Sequence, residues 1–363
     1  MSIHTIGVII KDWLIGLLAG WGVPVELSRL LIEVLTWAVG AALCIIAIML
    51  AALVFIYLER KVSGYIQSRL GPTRCGPVGI LQSFVDVIKL LLKEDIVPAE
   101  ADRVLHTIGP ILFLAVSALA YVVVPWDEGG TVAGKVDAGV GVLFMAAVGS
   151  MGLIGIVVGG WGSNNKWSLL GAIRGAAQMV SYEIPMLLAL MCVVLQAETL
   201  SLAGIVEDQK GSIIAWNFLR PWMWLPVVLF LISGVAEINR TPFDIPEAES
   251  ELVSGFHTEY TGMKFALFFL AEYGNLLLVA LIFSVLFLGG WLSPFGYPDP
   301  LRLPGIIWLL AKSLLIVLIV MWVRWTLPRL RVDQLMGLAW KLMIPAGFVA
   351  LGVMCAVIML GWA

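Results

Sequence analysis

Residues 236–260, AEINRTPFDIPEAESELVSGFHTEY, gather acids in a chain that carries few charges elsewhere. The whole sequence is 61% hydrophobic and 13% charged, with a formal net charge of −3. This stretch sets six carboxylates against one cation, Arg240, and the acids are Glu237, Asp244, Glu247, Glu249, Glu251 and Glu259. Buried carboxylates have raised pKa values and can hold or pass a proton near neutral pH. The stretch therefore predicts proton chemistry.

The neighbours of these acids favour burial over solvation. A solvated acidic loop would carry lysines and polar residues, whereas the neighbours here are Phe243, Ile245, Leu252, Val253 and Phe256. Asp244 followed by Glu247 predicts a capping box at a helix start, with Pro246 in the first turn. Glu247 and Glu251 are four residues apart and like-charged, which weakens a helix. Capping explains only two acids, so we expect a semi-buried funnel of carboxylates.

Further ionisable residues fall inside apolar segments, where each charge costs about 2.5–3.5 kcal/mol on insertion scales. Glu183, Glu237 and Glu272 lie on three successive segments, which predicts a proton relay. The alternative is static pairing that fixes helix packing, for example between Glu183 and Arg174. Lys312 is a weaker signal, since a lysine near the end of a span can snorkel to the membrane surface.

The elements that must position these residues are transmembrane helices, because a mean hydropathy of +1.00 lies far above the soluble range. A span needs about 20 apolar residues. Eight segments qualify: Val34–Leu58, Thr107–Val124, Gly139–Gly160, Leu169–Leu195, Trp222–Glu237, Phe265–Leu288, Gly305–Val323 and Leu342–Trp362. We therefore predict an all-α integral membrane protein with one polytopic domain over residues 1–363. An interfacial segment over 1–33 precedes the first span.

The orientation follows from the distribution of Lys and Arg, which concentrate in cytoplasmic loops. The loops on the side of the acidic stretch and their flanks hold 15 of these cations, and the opposite side holds six. This bias alternates correctly through eight spans. It places the loops 59–105 and 238–264 in the cytoplasm, or in the mitochondrial matrix of a mitochondrial homologue, and both termini on the outer side of the membrane.

The loop 59–105 predicts an amphipathic helix at the membrane surface. Gly71-Pro72 and Gly76-Pro77 mark turns, and a helix should begin near Val78. Its apolar stripe is Leu81, Phe84, Val85, Ile88, Leu91 and Leu92, and its polar side is Gln82, Asp86, Lys89 and Lys93. The helix is either a lipid-facing anchor or one wall of a cavity between the membrane and a cytoplasmic partner.

The sequence shows no motif that would bind a redox centre. The four cysteines are far apart and form no C-x-x-C pair, so we expect neither an iron–sulfur cluster nor a structural zinc site. Three scattered histidines suggest no haem or metal site, and there is no dinucleotide-binding fingerprint or P-loop. We expect no metal and no bound cofactor in this chain.

Several long motifs carry a resemblance to a known family. They are ERKVSGYIQSRLGP, LQSFVDVIKLLLKE, RGAAQMVSYEIP, AEINRTPFDIPEAESELVSGFHTEYTGMKFALFFLAEY and PRLRVDQLMGLAWK. The chain closely resembles, over about residues 35–345, the H-subunit family of bacterial NADH:quinone oxidoreductase, called subunit 1 in the mitochondrial respiratory complex I. The resemblance implies a non-redox subunit of a quinone-reducing, proton-translocating complex, with no activity when isolated.

The resemblance also implies partners and residue roles. The chain would form a quinone chamber with the iron–sulfur-carrying B subunit and the D subunit, beside small membrane subunits and lipid, with no nucleic acid. FMN and iron–sulfur clusters would lie in partner subunits. The quinone would meet Arg60, Gln67, Arg69 and Asp86. The implied proton relay is Glu183, Glu237, Glu249, Glu251 and Glu272, and the coupling residues are Arg174, Tyr182, Arg240, Asp244 and Glu247.

Rival functions remain open on the sequence. A secondary transporter would show inverted repeats, and we find none. A purely structural anchor would tolerate glutamine at the intramembrane glutamates. Nearer alternatives are the same subunit in a complex with another electron donor, such as ferredoxin or reduced deazaflavin, or the anchor subunit of a membrane hydrogenase.

Overall fold

The computed structural model describes residues 24–128, 130–131, 139–297 and 299–361. These parts of the chain are mainly helical, which confirms the predicted all-α membrane class. The helices are α1 (Val25–Ile66), α2 (Gln82–Leu92), α3 (Arg103–Ala120), α4 (Gly141–Gly162), α5 (Lys166–Ala197), α6 (Leu202–Asp208), α7 (Trp224–Glu237), α8 (Glu249–Leu252), α9 (Gly262–Phe287), α10 (Gly305–Thr326), α11 (Val332–Gly337) and α12 (Ile344–Met359).

Seven helical segments in the described ranges are long and apolar enough to cross a membrane. They are α1, α3, α4, α5, α9, α10 and the continuous segment Val332–Met359, in which a π-helical turn, Leu338–Met343, joins α11 to α12. Helix α1 extends beyond the predicted span at both ends. Of the predicted interfacial segment 1–33, residues 25–33 belong to α1, and residues 1–23 lie outside the described part of the chain.

The helices α5 and α9 form the centre of the bundle, with 56% of their most apolar windows buried inside the chain. Helix α1 is the opposite case, since only 22% of its window is buried. An apolar helix surface that the chain itself leaves uncovered requires lipid or neighbouring protein. The central helices therefore hold the polar side chains of the candidate site, and α1 closes one side.

Contacts between loops place successive connections at alternate ends of the bundle. At one end, Asp102 N donates to Gly162 O, Asn165 Nδ2 to Glu259 Oε1, and Leu330 N to Pro242 O. We call this end the acidic face. At the opposite face, the two-stranded antiparallel hairpin Pro125–Asp127 with Gly130–Thr131 lies beside the 288–304 connection, where Tyr297 Oη donates to Glu128 Oε1. This alternation requires an eighth crossing by α7.

Helix α7 is only 14 residues long, so by itself it is shorter than a span. It ends at Glu237, two residues before Asn239, whose φ of 58° leaves the helical region. The chain after it fills the remaining depth beside α5, where Gly171 and Gly175 lie against Pro246. Irregular backbone at such depth is tolerated only when it is buried in protein. The break in α7 thus brings the acidic stretch into the bundle.

The amphipathic helix forms, but its predicted start is wrong. Val78 lies in a short 3-10 turn, Pro77–Gly79, with φ of 56°, and α2 begins at Gln82. The reason is a close backbone approach at Gly79, where an added Cβ would lie 2.2 Å from Pro72 O. The residues of the apolar stripe are exposed or half-buried in the isolated chain, and Leu92 is 83% exposed.

Lys312 does not snorkel to the surface as the sequence suggested. Its ammonium donates to the carbonyl oxygens of Leu288, Gly290 and Leu292 at 2.6, 2.9 and 2.7 Å. It also lies 4.1 Å from the ring centroid of Trp216. These carbonyls follow the C-terminal end of α9, where a cation is favourable. Lys312 therefore fixes the end of the central helix at the opposite face.

Candidate functional site

A cluster of two arginines and two carboxylates lies inside the bundle near the acidic face. Arg240 Nη1 donates to Glu59 Oε2 at 2.6 Å, and Arg240 Nε lies 2.6 Å from Glu272 Oε1, although its N–H is not aimed at that oxygen. Arg324 donates to the other oxygen of Glu59. The guanidinium of Arg240 also covers the ring of Tyr273 at 4.2 Å, and the Tyr273 hydroxyl donates to Glu59 Oε2 at 2.9 Å.

This cluster is charge-balanced, and its central pair, Arg240 and Glu59, is buried, whereas Arg324 is 26% exposed. The Arg240 side chain is 1% exposed and that of Glu59 is 7% exposed. A buried charge is tolerated when it is paired and hydrogen-bonded. Loss of one partner leaves the remaining charges buried and uncompensated, which is strongly destabilising. The predicted relay residue Glu272 is thus one half of an ion pair.

The broken end of α7 positions Arg240 within this cluster. Gln178, which is 1% exposed on α5, donates through Nε2 to Ala236 O and to Phe243 O, both at 2.7 Å. Its Nε2 is also 3.1 Å from Asn239 Oδ1. These bonds replace the helical partners lost where α7 ends. Gln178 therefore holds both sides of the turn that carries Arg240.

The predicted capping box at Asp244 and Glu247 is wrong. The first helix after Asp244 is α8, which begins only at Glu249, and its N-cap residue, Ala248, makes no side-chain capping hydrogen bond. The tertiary contact that prevents an earlier helix lies at Gly255, where an added Cβ would stand 1.7 Å from Pro246 O. Local capping chemistry is overridden by this approach of two loop segments.

The acids of the stretch have different surroundings instead of forming one funnel. Glu251 binds Arg174 and Arg329 at 2.7 and 2.6 Å, and the hydrogen bond from Arg174 lowers its pKa. Burial raises the pKa of Glu247 well above its usual value, with repulsion from Glu272 and Asp244 adding to the effect. The side chain of Glu249 lies outside the part that the structure describes.

His257 stands beside Glu247 without forming an ion pair. Its Nδ1 is 3.9 Å from Glu247 Oε1, and burial lowers the pKa of His257 to about 4. The imidazole is therefore neutral at neutral pH. Glu247, His257 and Glu272 line one small cavity with Asn239 and Phe113.

Two consecutive residues of α4 connect the deeper carboxylates. An added Cβ at Gly149 would lie 3.1 Å from Glu237 Oε1, so this carboxylate rests against α4. The next residue, Ser150, donates to Glu183 Oε1. Arg174 pairs with Glu251, so the predicted alternative of a Glu183–Arg174 ion pair is wrong. Glu183 is half-buried beside the exposed Ser150, at the lateral surface of the chain.

The predicted quinone residues lie at the acidic face, at the end of α1. Arg60 Nη1 donates to Asp86 Oδ2 of α2 at 2.7 Å, and Gln82 Nε2 donates to Asp86 Oδ1 at 3.0 Å. Arg69 Nε donates to Gln67 Oε1 at 2.5 Å. The structure thus forms two pairs from the four predicted residues.

Tyr182 has a different setting from the carboxylates. Its hydroxyl donates to Leu335 O at 3.0 Å, and its ring packs against Phe243 with a centroid distance of 5.3 Å. It therefore ties α5 to α11 and to the acidic stretch. Across the described ranges, His, Cys, Asp and Glu side chains form no group of three or more that could hold a metal ion.

Comparison with known proteins identifies the family. The sequence model of the NADH dehydrogenase family matches residues 39–355. The chain belongs to this family. Proteins named as the H subunit of NADH-quinone oxidoreductase are close in sequence: that of Chlorobaculum tepidum is 47% identical over 322 residues, covering 85% of this chain and 89% of the relative.

Two further relatives, which carry the same name, support this assignment. The one from Chlorobaculum parvum is 46% identical over 352 residues, covering 94% of each chain. The one from Chlorobium luteolum is 46% identical over 325 residues, covering 85% of this chain and 86% of the relative. The family resemblance inferred from the motifs is therefore confirmed, and the apolar helices agree with a membrane location for this family member.

Sequence reasoning assigned no site role to four residues that this family member brings to its site: Glu59, Gln178, Tyr273 and Arg324. Glu59 opens the motif ERKVSGYIQ and directly precedes Arg60, but it falls just beyond the predicted first span. An acid at the end of an apolar segment was the available signal. Its partner Arg240 is 181 residues away, so no local pattern reveals the pairing.

The opposite pKa shifts of Glu247 and Glu251 predict opposite pH responses. The folded pKa of Glu247 lies above the unfolded value of about 4.3, so its contribution to stability is lost as pH rises through the folded value. Glu247→Gln should therefore flatten the decline of the unfolding temperature with rising pH. Glu251, with a lowered pKa, contributes stability that is lost as pH falls, so Glu251→Gln should flatten the acidic side.

The measurement is thermal unfolding of the assembled complex between about pH 4 and 9 for both variants. Each variant serves as the control for the other, because both remove one carboxylate from the same stretch, at positions four residues apart in the sequence. Equal slopes for the wild type and Glu247→Gln at every pH above about 4.3 would contradict the assignment of a raised pKa to Glu247.

Proposed function

We propose that this chain is the membrane subunit of a proton-translocating NADH:quinone oxidoreductase, and that it forms part of the quinone chamber and couples quinone reduction to proton movement. One observation carries this proposal: Glu59 and Arg60 are consecutive on α1 but point into different sites. Glu59 belongs to the buried cluster with Arg240, and Arg60 pairs with Asp86 at the acidic face.

This arrangement supports coupling because one helix end carries both charges. A quinone reduced near Arg60 and Asp86 requires protons and creates negative charge beside them. That charge acts on Glu59 at the adjacent position, and Glu59 shares Arg240 with Glu272. Arg240 lies between these two carboxylates, so a change of charge near Glu59 would change how strongly Arg240 interacts with Glu272. This response needs no redox group in this chain.

The proposed proton route continues from the cluster to the lateral surface. Glu247 shares a cavity with Glu272, Glu237 rests against Gly149, and Glu183 accepts from Ser150. Carboxylates in apolar surroundings are suited to hold and pass protons. Since Glu183 is half-buried at the side of the bundle, a neighbouring membrane subunit would receive the proton there.

The surfaces that the chain leaves uncovered support the proposal that it binds lipid and other subunits. The apolar side of α2 requires lipid, quinone tail or protein, and we assign the B and D subunits to the chamber above it and small membrane subunits to the lateral surface. Electrons would come from FMN and iron–sulfur clusters in partner subunits, with no cofactor in this chain. The acidic face would be cytoplasmic and both termini periplasmic, in a bacterial inner membrane.

The decisive experiment breaks the Arg60–Asp86 pair in the assembled complex. Arg60→Ala and Asp86→Asn each remove a charge-assisted hydrogen bond of 2.7 Å, and we expect NADH:quinone reduction to fall about tenfold. Electron transfer from NADH to a water-soluble acceptor that bypasses the quinone should stay near the wild-type rate.

Lys89→Ala is the matched control. Lys89 is 3.7 Å from Asp86 and its side chain is 69% exposed, so its loss should change either activity only slightly. A proportional fall of both activities in the Arg60 and Asp86 variants would indicate loss of assembly and would count against a quinone role for the pair.

A further inference from the structure

Three small cavities border the proposed proton route, and two of them have several polar side chains in their lining. The first is lined by Glu247, His257, Glu272 and Asn239, and its volume, counted as room for the centre of a water molecule, is 10 Å³. The second is lined by Glu237 with Ser117 and Asn275, and the same measure gives 40 Å³. About 10–15 Å³ accommodates one water that has polar partners. Each cavity therefore has room and hydrogen-bonding groups for water.

Phe113 of α3 is the one side chain in the described ranges that lines both cavities. It is 4% exposed, and its ring packs on Phe268 with a centroid distance of 5.9 Å. The segment 237–239 forms the other part of the wall between the cavities. Glu237 lines the second cavity, and the next two residues, Ile238 and Asn239, line the first. An apolar ring thus stands between the cavity of Glu247 and Glu272 and the cavity of Glu237.

The glycines of α4 leave room for this ring at the second cavity. Gly155 lies against the backbone of Phe113, where an added Cβ would be 2.8 Å from Phe113 Cα. One turn earlier, an added Cβ at Gly152 would be 3.8 Å from Phe113 Cε2, which is ordinary contact. Gly152 lines the same cavity as Glu237. The edge of the Phe113 ring therefore faces the open space of the second cavity. A side chain at position 152 of α4 would occupy this space and restrict movement of the ring.

We propose that Phe113 is a gating residue, which keeps water beside Glu247 and Glu272 separate from water beside Glu237 and must move for a proton to pass. The inference rests on the proposed proton route. Protons move along hydrogen-bonded water and polar side chains, and a phenyl ring offers neither a donor nor an acceptor. Displacement of the ring edge toward Gly152 joins the two cavities, and its return separates them.

The test uses the assembled complex in sealed lipid vesicles, with proton movement and quinone reduction measured together. Phe113→Ala should join the cavities, so passive proton flux should rise by about tenfold or more and protons moved per electron should fall. Gly152→Ala places a methyl group against the ring edge, so coupled turnover should slow by about twofold or more without a leak. One variant should raise proton flux and the other should slow turnover without a leak. Such opposite effects on the same ring distinguish gating from general damage to the structure.

Phe283→Ala is the matched control, since Phe283 is as buried as Phe113, at 3% exposed, but lines neither cavity. It should lower thermal stability without raising proton flux. Wild-type proton flux and stoichiometry in Phe113→Ala, or wild-type turnover in Gly152→Ala, would overturn the gate. If Phe113→Ala fails to assemble, Gly152→Ala decides alone. Full pumping by Glu183→Gln would instead overturn the proton route itself, whatever the two gate variants do.

Discussion

Arg240→Gln should prevent stable assembly of the complex that contains this chain. The substitution removes the guanidinium that binds Glu59 and lies against Glu272, so Glu59 keeps Arg324 as its ion-pair partner and Glu272 loses the arginine beside it. Breaking a buried ion pair by removing one partner costs about 3–5 kcal/mol, because the remaining charges stay uncompensated. We expect a large fall in the unfolding temperature of the purified complex and loss of the intact band on a native gel.

Two further variants separate charge from general damage. Arg240→Gln combined with Glu272→Gln removes one uncompensated carboxylate, so it should recover part of the stability but not the quinone-reductase activity. Arg220→Gln is the control at the opposite face, where Arg220 binds Asp208 at 3.2 Å near the surface. Its loss should cost about 0–1 kcal/mol. Wild-type assembly and unfolding temperature in Arg240→Gln would show that the cluster does not hold the fold.

Glu183→Gln should stop proton pumping while leaving the complex assembled. Glutamine keeps the size of the side chain and can still accept the hydrogen bond from Ser150, so the packing of α4 on α5 should persist. It cannot ionise, and loss of a group that transfers protons costs at least about a hundredfold where the transfer is required. Quinone reduction and pumping in vesicles should fall together, because the two are coupled.

Glu198→Gln is the matched control for this variant. Glu198 follows the C-terminal end of the same helix at the opposite face and is exposed, so its neutralisation should leave both activities near the wild-type level. Normal pumping by Glu183→Gln would instead indicate that the intramembrane glutamates only fix the packing of the helices. A loss of assembly in Glu183→Gln, without loss in Glu198→Gln, would likewise assign Glu183 to structure.

The sequence by itself determined the class of protein, the approximate spans and the family. Long apolar segments must satisfy their backbone hydrogen bonds internally in a bilayer, so apolar length predicts helices there. The predicted span Phe265–Leu288 differs from the observed α9 by at most three residues at either end. The motifs in the acidic stretch and at the end of α1 were sufficient to identify the family, because motifs of this length rarely match by chance.

Only the tertiary structure decided which charges meet. Arg240 is 181 residues from Glu59, and Arg324 is 265 residues from it, so no helical or strand period connects them. The same holds for the separate surroundings of Glu247 and Glu251. These depend on Arg174 of α5, Glu272 of α9 and Arg329 of the connection between α10 and α11. Local rules predicted a capped helix at Asp244, and the contact of Gly255 with Pro246 replaced it with a turn. Periodicity predicts which face of a helix is apolar, but charges pair through space, and packing of the helices fixes that distance.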